Sequence, residues 1–381
     1  MKLHDVYVIG AGMAAFGKHK ETPLSVLAAT AIGAALEDAG FSGEEIGAAY
    51  CGTQWGGSMA GQRALKHTGL LGMPVVNVEN ACSSGSTALH LAKMAVATGV
   101  HEAVLVVGAD KLSTQTGPLP RHPEDFDGSL GMSPPAVYAT RARRYMHEHG
   151  ATSEDLALVC VKNRRHALHN RNALFQSEIT VEEVLASRLV ADPLTLLQCC
   201  ARADGAAAVV VANAAWARKA QRAPARLLAS QLCSGRYRGD LRDVTSPEIT
   251  VRCAQQAYQE AGLGPQDIHA AEVHDAFSIA ELLYYEALGF CKPGHARHLL
   301  RDGVTSIGGS LPVNPSGGLM AKGHPPGATG VAQVVEAVEQ LRGKVAGRQV
   351  EGARTFLTHC TGGGVSGLDH GACTIHILAG D

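Results

Sequence analysis

The chain repeats one local pattern in its two halves, and this repeat restricts the fold more than any other feature of the sequence. Residues 35–40 end an apolar helical pattern at Gly40, and residues 257–262 end a similar pattern at Gly262. Each glycine suits a left-handed helix C-cap, and a strand pattern follows each one after a short polar stretch. Because only two copies occur, the pattern indicates a duplicated unit rather than a solenoid.

Short apolar runs alternate with alanine-rich helical patterns along the chain. The runs at 5–9, 103–107, 206–211 and 227–232 suit buried strands, and Leu24–Ala39 has apolar residues at helical spacing. Hydrophobic residues make up 46% of the 381 residues and charged residues 18%, so the chain can bury a large core. The sequence therefore predicts a layered α/β fold.

Residues 112–197 interrupt this alternation. They begin with a Pro-, Gly- and Asp-rich stretch that includes 117–120, and they continue into a basic, amphipathic helical pattern. We interpret them as an inserted loop domain between an N-terminal half (1–111 plus 198–222) and a C-terminal half (223–381). The basic side chains of the insert indicate either a solvated helix face or contact with an anionic ligand such as a nucleotide phosphate. They are Arg141, Arg143, Arg144, Lys162, Arg164 and Arg165.

Composition argues against several classes of partner. The formal net charge is −2 and no long basic run occurs, so nucleic acid is not an expected partner. The N-terminus lacks the apolar core of a signal peptide, and the longest apolar run, at 206–217, is too short to cross a bilayer. We therefore expect a cytoplasmic protein without membrane contact. None of the ten cysteines forms a Cys-x-x-Cys pair, so no metal site is expected and the thiols should stay reduced.

One cysteine occupies a position suited to chemistry. The strand pattern Val75–Val78 runs into a turn, and a helix then opens on very small residues directly after Cys82. Unpaired N–H groups and the positive end of the helix dipole would favour a thiolate at such a position. The alternative is a buried structural cysteine at a tight turn.

Three further segments contain candidate catalytic groups. His324 lies in a Gly- and Pro-dense loop before a helix, which suits a rigidly held proton carrier or oxyanion donor. Cys360 ends a strand pattern, and the glycines at 362–364 permit a turn whose N–H groups converge on an anion. His274 follows a strand pattern at a strand-to-helix switch, and Asp275 suits capping of the next helix. Each segment alone is also compatible with a packing role.

A glycine pattern near the N-terminus mimics a dinucleotide-binding fingerprint. Gly10, Gly12 and Ala15 follow a strand pattern with suitable spacing. However, the polar run 18–22 and Pro23 prevent a helix from opening directly after them, and no acidic residue lies at the expected distance. We do not expect NAD binding.

The four reactive segments, in this order, resemble those of the thiolase superfamily, and the likeness extends over essentially the whole chain. They are Asn80-Ala81-Cys82-Ser83-Ser84-Gly85, His274-Asp275-Ala276-Phe277, Gly323-His324-Pro325-Pro326-Gly327-Ala328-Thr329-Gly330 and Cys360-Thr361-Gly362-Gly363-Gly364. Ordinary thiolases carry Asn-Glu-Ala-Phe in the second segment. His274-Asp275, together with Gly10-Ala11-Gly12-Met13, therefore resembles the sterol-carrier-protein-2-type thiolases and their bacterial and archaeal relatives.

This resemblance implies a duplicated five-layer αβαβα thiolase-like fold with an inserted loop domain, usually as a homodimer. It implies one pocket in which the catalytic residues Cys82, His274, His324 and Cys360 meet. The backbone N–H groups of Cys82 and of Gly362 or Gly363 would form an oxyanion hole. We also expect substrate contacts from Ser316, Gly317, Met132 and Phe277.

The implied reaction is retro-Claisen thiolysis. Cys82 would attack the 3-keto carbon of a 3-oxoacyl-CoA, while His324 and His274 stabilise the enolate that leaves. Cys360 would protonate the carbanion and then deprotonate incoming CoA. The presence of both thiols favours a thiolase over decarboxylating ketoacyl synthases, which usually replace the second one.

Acyl-CoA and CoA are thus the expected ligands, with CoA as co-substrate and no permanently bound cofactor. Two alternatives stay open: a condensing synthase of the ketoacyl or hydroxymethylglutaryl-CoA synthase type, and a partner-dependent lipid-binding or aldolase homologue. Relatives of this branch often work with a small OB-fold/zinc-ribbon subunit, which makes such a subunit a candidate partner. Linear, branched, steroid and aromatic acyl groups, including the benzoylsuccinyl-CoA type, all remain candidates.

Overall fold

The computed structural model describes residues 3–115, 124–237, 243–367 and 369–380, so the predicted Pro- and Gly-rich stretch at 117–120 lies outside the described residues. The strands are β1 (Val6–Gly17), β2 (Ala49–Gly52), β3 (Val75–Val78), β4 (Ala103–Lys111), β5 (Leu189–Ala191), β6 (Leu194–Thr195), β7 (Asp204–Asn213), β8 (Ala225–Ser234), β9 (Ala270–Glu272), β10 (Thr355–Gly362) and β11 (Ala372–Ala379).

The helices lie between these strands along the chain, singly or in consecutive groups. They are α1 (Leu24–Ala39), α2 (Ala60–Lys66), α3 (Ser84–Ala97), α4 (Phe126–Ser129), α5 (Pro134–His149), α6 (Ser153–Ala167), α7 (Val181–Ala186), α8 (Ala214–Ala217), α9 (Glu248–Ala261), α10 (Ser278–Ala287), α11 (Ala296–Arg301), α12 (Gly318–Lys322) and α13 (Pro326–Leu341). Helix α1 and strand β3 begin and end where the sequence predicts. Strand β1 is longer than predicted, because the glycine-rich residues after Ile9 continue the strand and pair with β7.

The duplication is visible in the order of the elements. The series β1, α1, β2, β3, α3, β4, β7 is matched by β8, α9, β9, α13, β10, β11. The counterpart of β3 is reduced to an isolated parallel bridge between Ala271 and Val313. Helices α1 and α9 end at Gly40 and Gly262, whose φ angles of 79° and 68° are left-handed, as predicted.

Nine strands form one hydrogen-bonded sheet in the order β3-β2-β4-β7-β1-β8-β11-β10-β9. Its two halves join only through β1 and β8, which pair at Tyr7 with Arg226 and at Val8 with Ala225. The strands that lead into the central helices are parallel to their neighbours, and the remaining pairs are antiparallel. Because this junction is short, the two half-sheets lie in separate layers.

Helices α3 and α13 lie between the two half-sheets. Helix α13 packs against α3, β4, β7 and β10, and nearly all of its side chains are buried. Helix α1 covers the outer face of the N-terminal half, and α9 covers β8 and β11. This arrangement gives the predicted five layers, with the beginnings of both central helices inside the molecule.

The segment between β4 and β7 contains α4 to α7 and the two-stranded sheet of β5 and β6. Helix α6 packs against α10, α11 and α12, so the insert lies on the C-terminal half. The division of the chain at 112–197 and 198–222 stays a prediction.

The basic side chains of the insert divide into an exposed and a buried group, so the predicted solvated face is present in part, and contact with an anionic ligand stays a prediction. Arg141 is buried and paired with Asp369, and Lys162 is buried 2.6 Å from Glu281 Oε1. Their partners are too distant in sequence to be recognised from helical spacing. Arg143, Arg144 and Arg165 are exposed and each forms an ion pair with a neighbouring carboxylate, while Arg164 lies 4.0 Å from the ring centre of Phe175.

Within the part of the chain that the structure describes, no helix combines the length and the apolar composition needed to cross a bilayer.

Candidate active site

Cys82 lies at the turn between β3 and α3, two residues before the helix begins at Ser84. The turn is tight: the Ser83 and Ser84 amides donate to the carbonyl oxygens of Asn80 and Ala81. Ala81 has a left-handed φ of 50°, which is costly for a residue with a Cβ. Backbone strain next to a half-buried thiol agrees with a functional position for Cys82.

His324 contacts this thiol directly. Its Nε2 lies 3.2 Å from Cys82 Sγ, and its Nδ1 lies 2.7 Å from Thr329 Oγ1. The Thr329 hydroxyl donates to the carbonyl oxygen of Pro325, so it accepts from His324 Nδ1–H. The proton of the neutral imidazole is therefore on Nδ1, and Nε2 is free to accept the proton of Cys82.

Four glycines bring these two groups together. A Cβ added to Gly85 in α3 or to Gly108 in β4 would lie 2.2 Å from the carbonyl oxygen of Gly327 in α13. A Cβ on Gly52 would lie 2.4 Å from the Gly85 backbone, and one on Gly327 would lie 2.7 Å from the Gly52 oxygen. Only glycine permits this approach, which lets α3 and α13 begin in contact.

Cys360 and His274 complete the cluster. Cys360 Sγ lies 3.1 Å from the carbonyl oxygen of Cys82 and 3.4 Å from His274 Nδ1. The rings of His274 and His324 meet edge to face at 5.1 Å. When His274 accepts through Nδ1, its Nε2–H remains free to donate to an oxyanion. The structure thus brings together all four residues that the sequence singled out as catalytic.

The electrostatics of the two thiols differ from the sequence expectation of a stabilised thiolate. Burial, with a contribution from the Asp110 carboxylate, raises the pKa of Cys82 to about 12. Burial and the neighbouring Cys82 also raise the pKa of Cys360. Burial lowers the pKa of His324 to about 4 and that of His274 well below its usual value. The resting site is therefore a set of neutral thiols and imidazoles, because desolvation outweighs the helix N-terminus.

Two backbone N–H groups lie at Cys82 Sγ, and their role as an oxyanion hole stays a prediction. The amides of Gly363 and of Cys82 itself act on Cys82 Sγ and favour its charged form. Gly362 permits close contact between β10 and the turn before α3, because a Cβ there would lie 2.0 Å from the Asn80 carbonyl oxygen. These contacts bring the end of β10 against the turn that carries Cys82.

Asp275 has a different role from the local helix cap that its position suggests. Its carboxylate accepts from the amides of Leu319 (2.7 Å) and Met320 (3.3 Å), which begin α12, and from Asn163 Nδ2. The following helix α10 begins at Ser278 without a side-chain cap. Asp275 therefore holds a remote segment of the C-terminal half, a contact that sequence spacing does not reveal.

The four predicted substrate contacts occupy different surroundings. Ser316 is buried, and its hydroxyl bonds Glu272 Oε2 and Lys322 Nζ, so it has little capacity left for a ligand. Gly317 packs against α6, where a Cβ would lie 2.6 Å from Ala167 Cβ. Phe277 is buried and stacks on Tyr138 at 4.6 Å, whereas Met132 is 41% exposed in the insert. Their contacts with substrate stay predictions.

Several residues that position the cluster were not identified from the sequence. Thr329 orients His324 and lies five residues after it in the same motif. This short spacing could have indicated the contact. Thr374 Oγ1 lies within hydrogen-bond distance of the Ser83 and Ser86 hydroxyls and of the Cys360 carbonyl oxygen, which ties β10 to the start of α3. Thr374 is an ordinary strand residue, and nothing in its local sequence indicates this contact.

The same cluster contains three side chains of types that bind metal ions. Cys82 Sγ and one ring nitrogen each of His274 and His324 all lie within 4.8 Å of one another. Thiolate and imidazole are ligands that zinc accepts. In the structure, Cys82 and His324 bond each other directly, and Thr329 fixes the tautomer that this contact requires.

A layered α/β fold with two thiols and two imidazoles at the junction of its halves is the architecture of a thiol-dependent acyl-transfer enzyme. The family models agree: residues 6–215 match the thiolase N-terminal domain, and residues 230–371 match the thiolase C-terminal domain-like family. The chain belongs to the thiolase family.

Relatives of known name span nearly the whole chain. The BbsB subunit of benzoylsuccinyl-CoA thiolase from Thauera aromatica is 43% identical over 98% of this chain and 100% of its own length. The acetyl-CoA acetyltransferase of Methanothermobacter thermautotrophicus is 41% identical over 99% of this chain and 100% of its own. Sterol carrier protein 2 of Bos taurus is 37% identical over 94% of this chain and 70% of its own. These matches confirm the expected branch.

A solved structure named Ltp2-ChsH2(DUF35) aldolase resembles the chain with a TM-score of 0.86 at 30% identity, covering 100% of this chain and 99% of the other. The whole fold is therefore shared with a protein whose name indicates different chemistry and a second component. The chemistry of this chain has to be argued from its own residues.

Proposed function

We propose that the protein is an acyl-CoA C-acyltransferase that cleaves a 3-oxoacyl-CoA with CoA through an acyl-Cys82 intermediate, and that it catalyses the reverse condensation. The observation that carries this proposal is the paired geometry of the thiols. Cys82 Sγ is 3.2 Å from the accepting nitrogen of His324, and Cys360 Sγ is 3.1 Å from the Cys82 carbonyl oxygen. This geometry supports one thiol as the nucleophile and the other as the acid and base that act on the same substrate.

In the first half-reaction, His324 Nε2 takes the proton of Cys82 as Sγ attacks the 3-keto carbon. The tetrahedral oxyanion collapses and the bond between the α and β carbons breaks. Its electrons form the enolate of the CoA thioester that keeps the α carbon, and the shortened acyl group stays on Cys82. His274 Nε2–H donates to the enolate oxygen, a type of contact worth about 3 kcal/mol. Cys360 gives its proton to the α carbon, which leaves a Cys360 thiolate and an acyl group on Cys82.

In the second half-reaction, the Cys360 thiolate takes the proton of incoming CoA. The CoA sulfur attacks the acyl thioester on Cys82, and the second tetrahedral oxyanion meets the amides of Cys82 and Gly363. Cys82 leaves and recovers its proton from His324. Both catalytic residues return to their neutral resting forms, in agreement with the direction of their pKa shifts.

The second thiol separates this proposal from the alternatives. A decarboxylating synthase obtains its carbanion by loss of carbon dioxide and needs no base for an α-proton. A retro-aldol reaction needs neither an acyl-cysteine nor CoA. The presence of Cys360 within 3.4 Å of His274 supports reversible proton transfer at the α carbon, which thiolysis requires.

Two finer features of the proposal concern assembly. We propose a homodimer, because β3 lies at the edge of the sheet and exposes Val76, which is 41% accessible. We also propose a small second subunit of the kind named with the solved DUF35 aldolase relative. The proposed location is the cytoplasm. Light scattering after size-exclusion chromatography gives the mass that tests the dimer.

The test of function is CoA-dependent cleavage of a panel of 3-oxoacyl-CoAs with short, long, branched and aromatic acyl groups. We expect the wild type to form two acyl-CoA products, and Cys82→Ala to lose activity by roughly 10³-fold or more. Cys291→Ala is the matched control, since Cys291 is also half-buried but lies outside the cluster. Cleavage without CoA would instead indicate an aldolase, and full activity of Cys82→Ala would refute the proposal.

A further inference from the structure

A buried carboxylate connects the two halves of the molecule beside the catalytic cluster. Asp110 lies near the end of β4 and is fully buried. Its Oδ1 accepts from Thr53 Oγ1 (2.8 Å) and the Trp55 amide (2.8 Å), and its Oδ2 accepts from the amides of Gln54 (3.0 Å) and Gly327 (2.6 Å). Burial raises the pKa of Asp110, and the three backbone amides and the Thr53 hydroxyl that donate to its oxygens act in the opposite direction and favour the carboxylate.

The bond to Gly327 is significant because of the prolines before it. Helix α13 begins at Pro326, and neither Pro325 nor Pro326 has an N–H group. The Gly327 amide is therefore the first donor of the helix, three residues after His324. An ionised carboxylate at this end also interacts favourably with the helix dipole. The segment that carries His324 is thus fixed at one side by Asp110 and at the other by the Thr329 hydroxyl.

Cys82 belongs to a different helix, and its position relative to α13 depends on the same region. The glycine contacts bring the Gly327 carbonyl against Gly85 and Gly108, and Asp110 follows Gly108 by two residues in β4. Loss of the bond between Asp110 and Gly327 would release the start of α13 from β4. The distance between His324 Nε2 and Cys82 Sγ would then lose one of the contacts that fix it.

We propose that Asp110 is a positioning residue that holds the start of α13, and with it His324, at the distance at which the imidazole accepts the Cys82 proton. This inference rests on the proposed role of His324 as the base for Cys82. It adds a residue that touches neither substrate nor the reacting atoms.

The charge of Asp110 makes the proposal testable, because its electrostatic effect has the opposite sign from its positional effect. The negative charges of Asp110 and Glu79 both disfavour a Cys82 thiolate. Removal of the Asp110 charge alone would therefore make the thiol more reactive. A slower reaction after substitution is therefore opposite to the electrostatic effect and indicates lost positioning. The other titratable groups at Cys82 are His274, His324, Cys360, Tyr138 and Cys200.

The experiment is a double-mutant cycle on the alkylation rate of Cys82 by iodoacetamide, followed by peptide mass spectrometry near neutral pH. Asp110→Asn keeps one acceptor oxygen and places its amide N–H groups against either the Trp55 amide or the amides of Gln54 and Gly327. We expect it to slow alkylation about 10-fold or more when His324 is present, since small displacements of reacting groups cost rates of this order. In the His324→Ala background it should leave the rate unchanged or increase it.

Two further variants make the cycle decisive. Asp204→Asn is the matched control, since Asp204 is also buried and accepts backbone N–H groups, but from His19, Leu112 and Ser113. It should not change the rate in either background. Thr53→Val removes one donor to Asp110 and retains the carboxylate; it should slow alkylation about threefold, again only with His324 present.

Equal slowing by Asp110→Asn in both backgrounds, or no slowing when His324 is present, would overturn the proposal. If Asp110→Asn does not fold, the Thr53→Val pair decides by the same criterion. Alkylation needs no acyl-CoA substrate, so its outcome is independent of whether thiolysis itself is observed.

Discussion

At the residue scale, the site consists of neutral groups that become charged only during the reaction. Desolvation raises the pKa of Cys82 and lowers that of His324, and the Thr329 hydroxyl fixes the imidazole proton on Nδ1. A thiolate stabilised in the resting enzyme would react with other electrophiles in the cell. The proton is instead transferred across a 3.2 Å contact when a substrate carbonyl is in place.

The different roles proposed for Cys82 and Cys360 give the first prediction. Cys360→Ser should still allow Cys82 to be acylated by a simple acyl-CoA, since this step breaks no carbon–carbon bond. Exchange of the α-protons of acyl-CoA with deuterated water should fall by about 10²-fold or more, the usual contribution of a positioned acid or base. NMR of the recovered acyl-CoA measures the exchange. Undiminished exchange in this variant would assign the α-proton to another group.

At the element scale, contact between the beginnings of α3 and α13 decides where the catalytic groups lie. Each helix follows a turn at the end of a parallel strand or bridge, and duplication makes the two turns face each other. Glycine at 85, 108 and 327 permits backbone contact that any side chain would prevent. Close packing at these glycines therefore positions the helix ends, together with the hydrogen bond from the Gly327 amide to Asp110.

Gly108→Ala tests this steric requirement. The new Cβ would lie 2.2 Å from the Gly327 carbonyl oxygen, and overpacking of this kind costs about 1–3 kcal/mol of folding free energy. The variant should also react more slowly at Cys82, because α13 must move away. Gly33→Ala is the control: a Cβ at this exposed position in α1 meets nothing within 4 Å and should stabilise the helix by about 0.5–1 kcal/mol. Thermal and denaturant unfolding measure both. Similar stabilities for the two variants would contradict the steric account.

At the scale of the whole molecule, buried histidines make stability depend on pH. His166 donates through Nδ1 to the Asn314 carbonyl oxygen and accepts at Nε2 from the Ile307 amide. A proton added to Nε2 would therefore face the Ile307 N–H, which is itself a donor. Burial, with nearby Lys162, lowers its pKa from 6.5 to about 3. The unfolded chain therefore binds the proton first, and stability falls as the pH decreases below the unfolded value.

Comparison with His166→Gln isolates this contribution. Between about pH 7.5 and 5.5, the wild type should lose about 1.4 kcal/mol more unfolding free energy than the variant, since one proton is taken up only on unfolding. Denaturant unfolding at both pH values gives the difference. Parallel losses in the two proteins would show that His166 is not kept neutral by the fold.

The sequence predicted those features that are local. The α/β alternation, the two glycine caps and the four reactive segments each depend on neighbouring residues, and the structure brings the four segments into one cluster. The partners of Arg141, Asp275 and Asp110 were not predictable, because they lie 228, 44 and 217 residues away at Asp369, Leu319 and Gly327. The resting protonation of Cys82 was also missed, since burial in the folded chain sets it and the helix N-terminus does not.

The central claim is that Cys82 carries the acyl group between two half-reactions. It is tested most directly by peptide mass spectrometry after the protein is mixed with a 3-oxoacyl-CoA and quenched before CoA is added. We predict an acyl adduct on the Cys82 peptide and on no other cysteine, with loss of the adduct when CoA is supplied. Cleavage of the substrate without this adduct, or an adduct on Cys360 instead, would contradict the account.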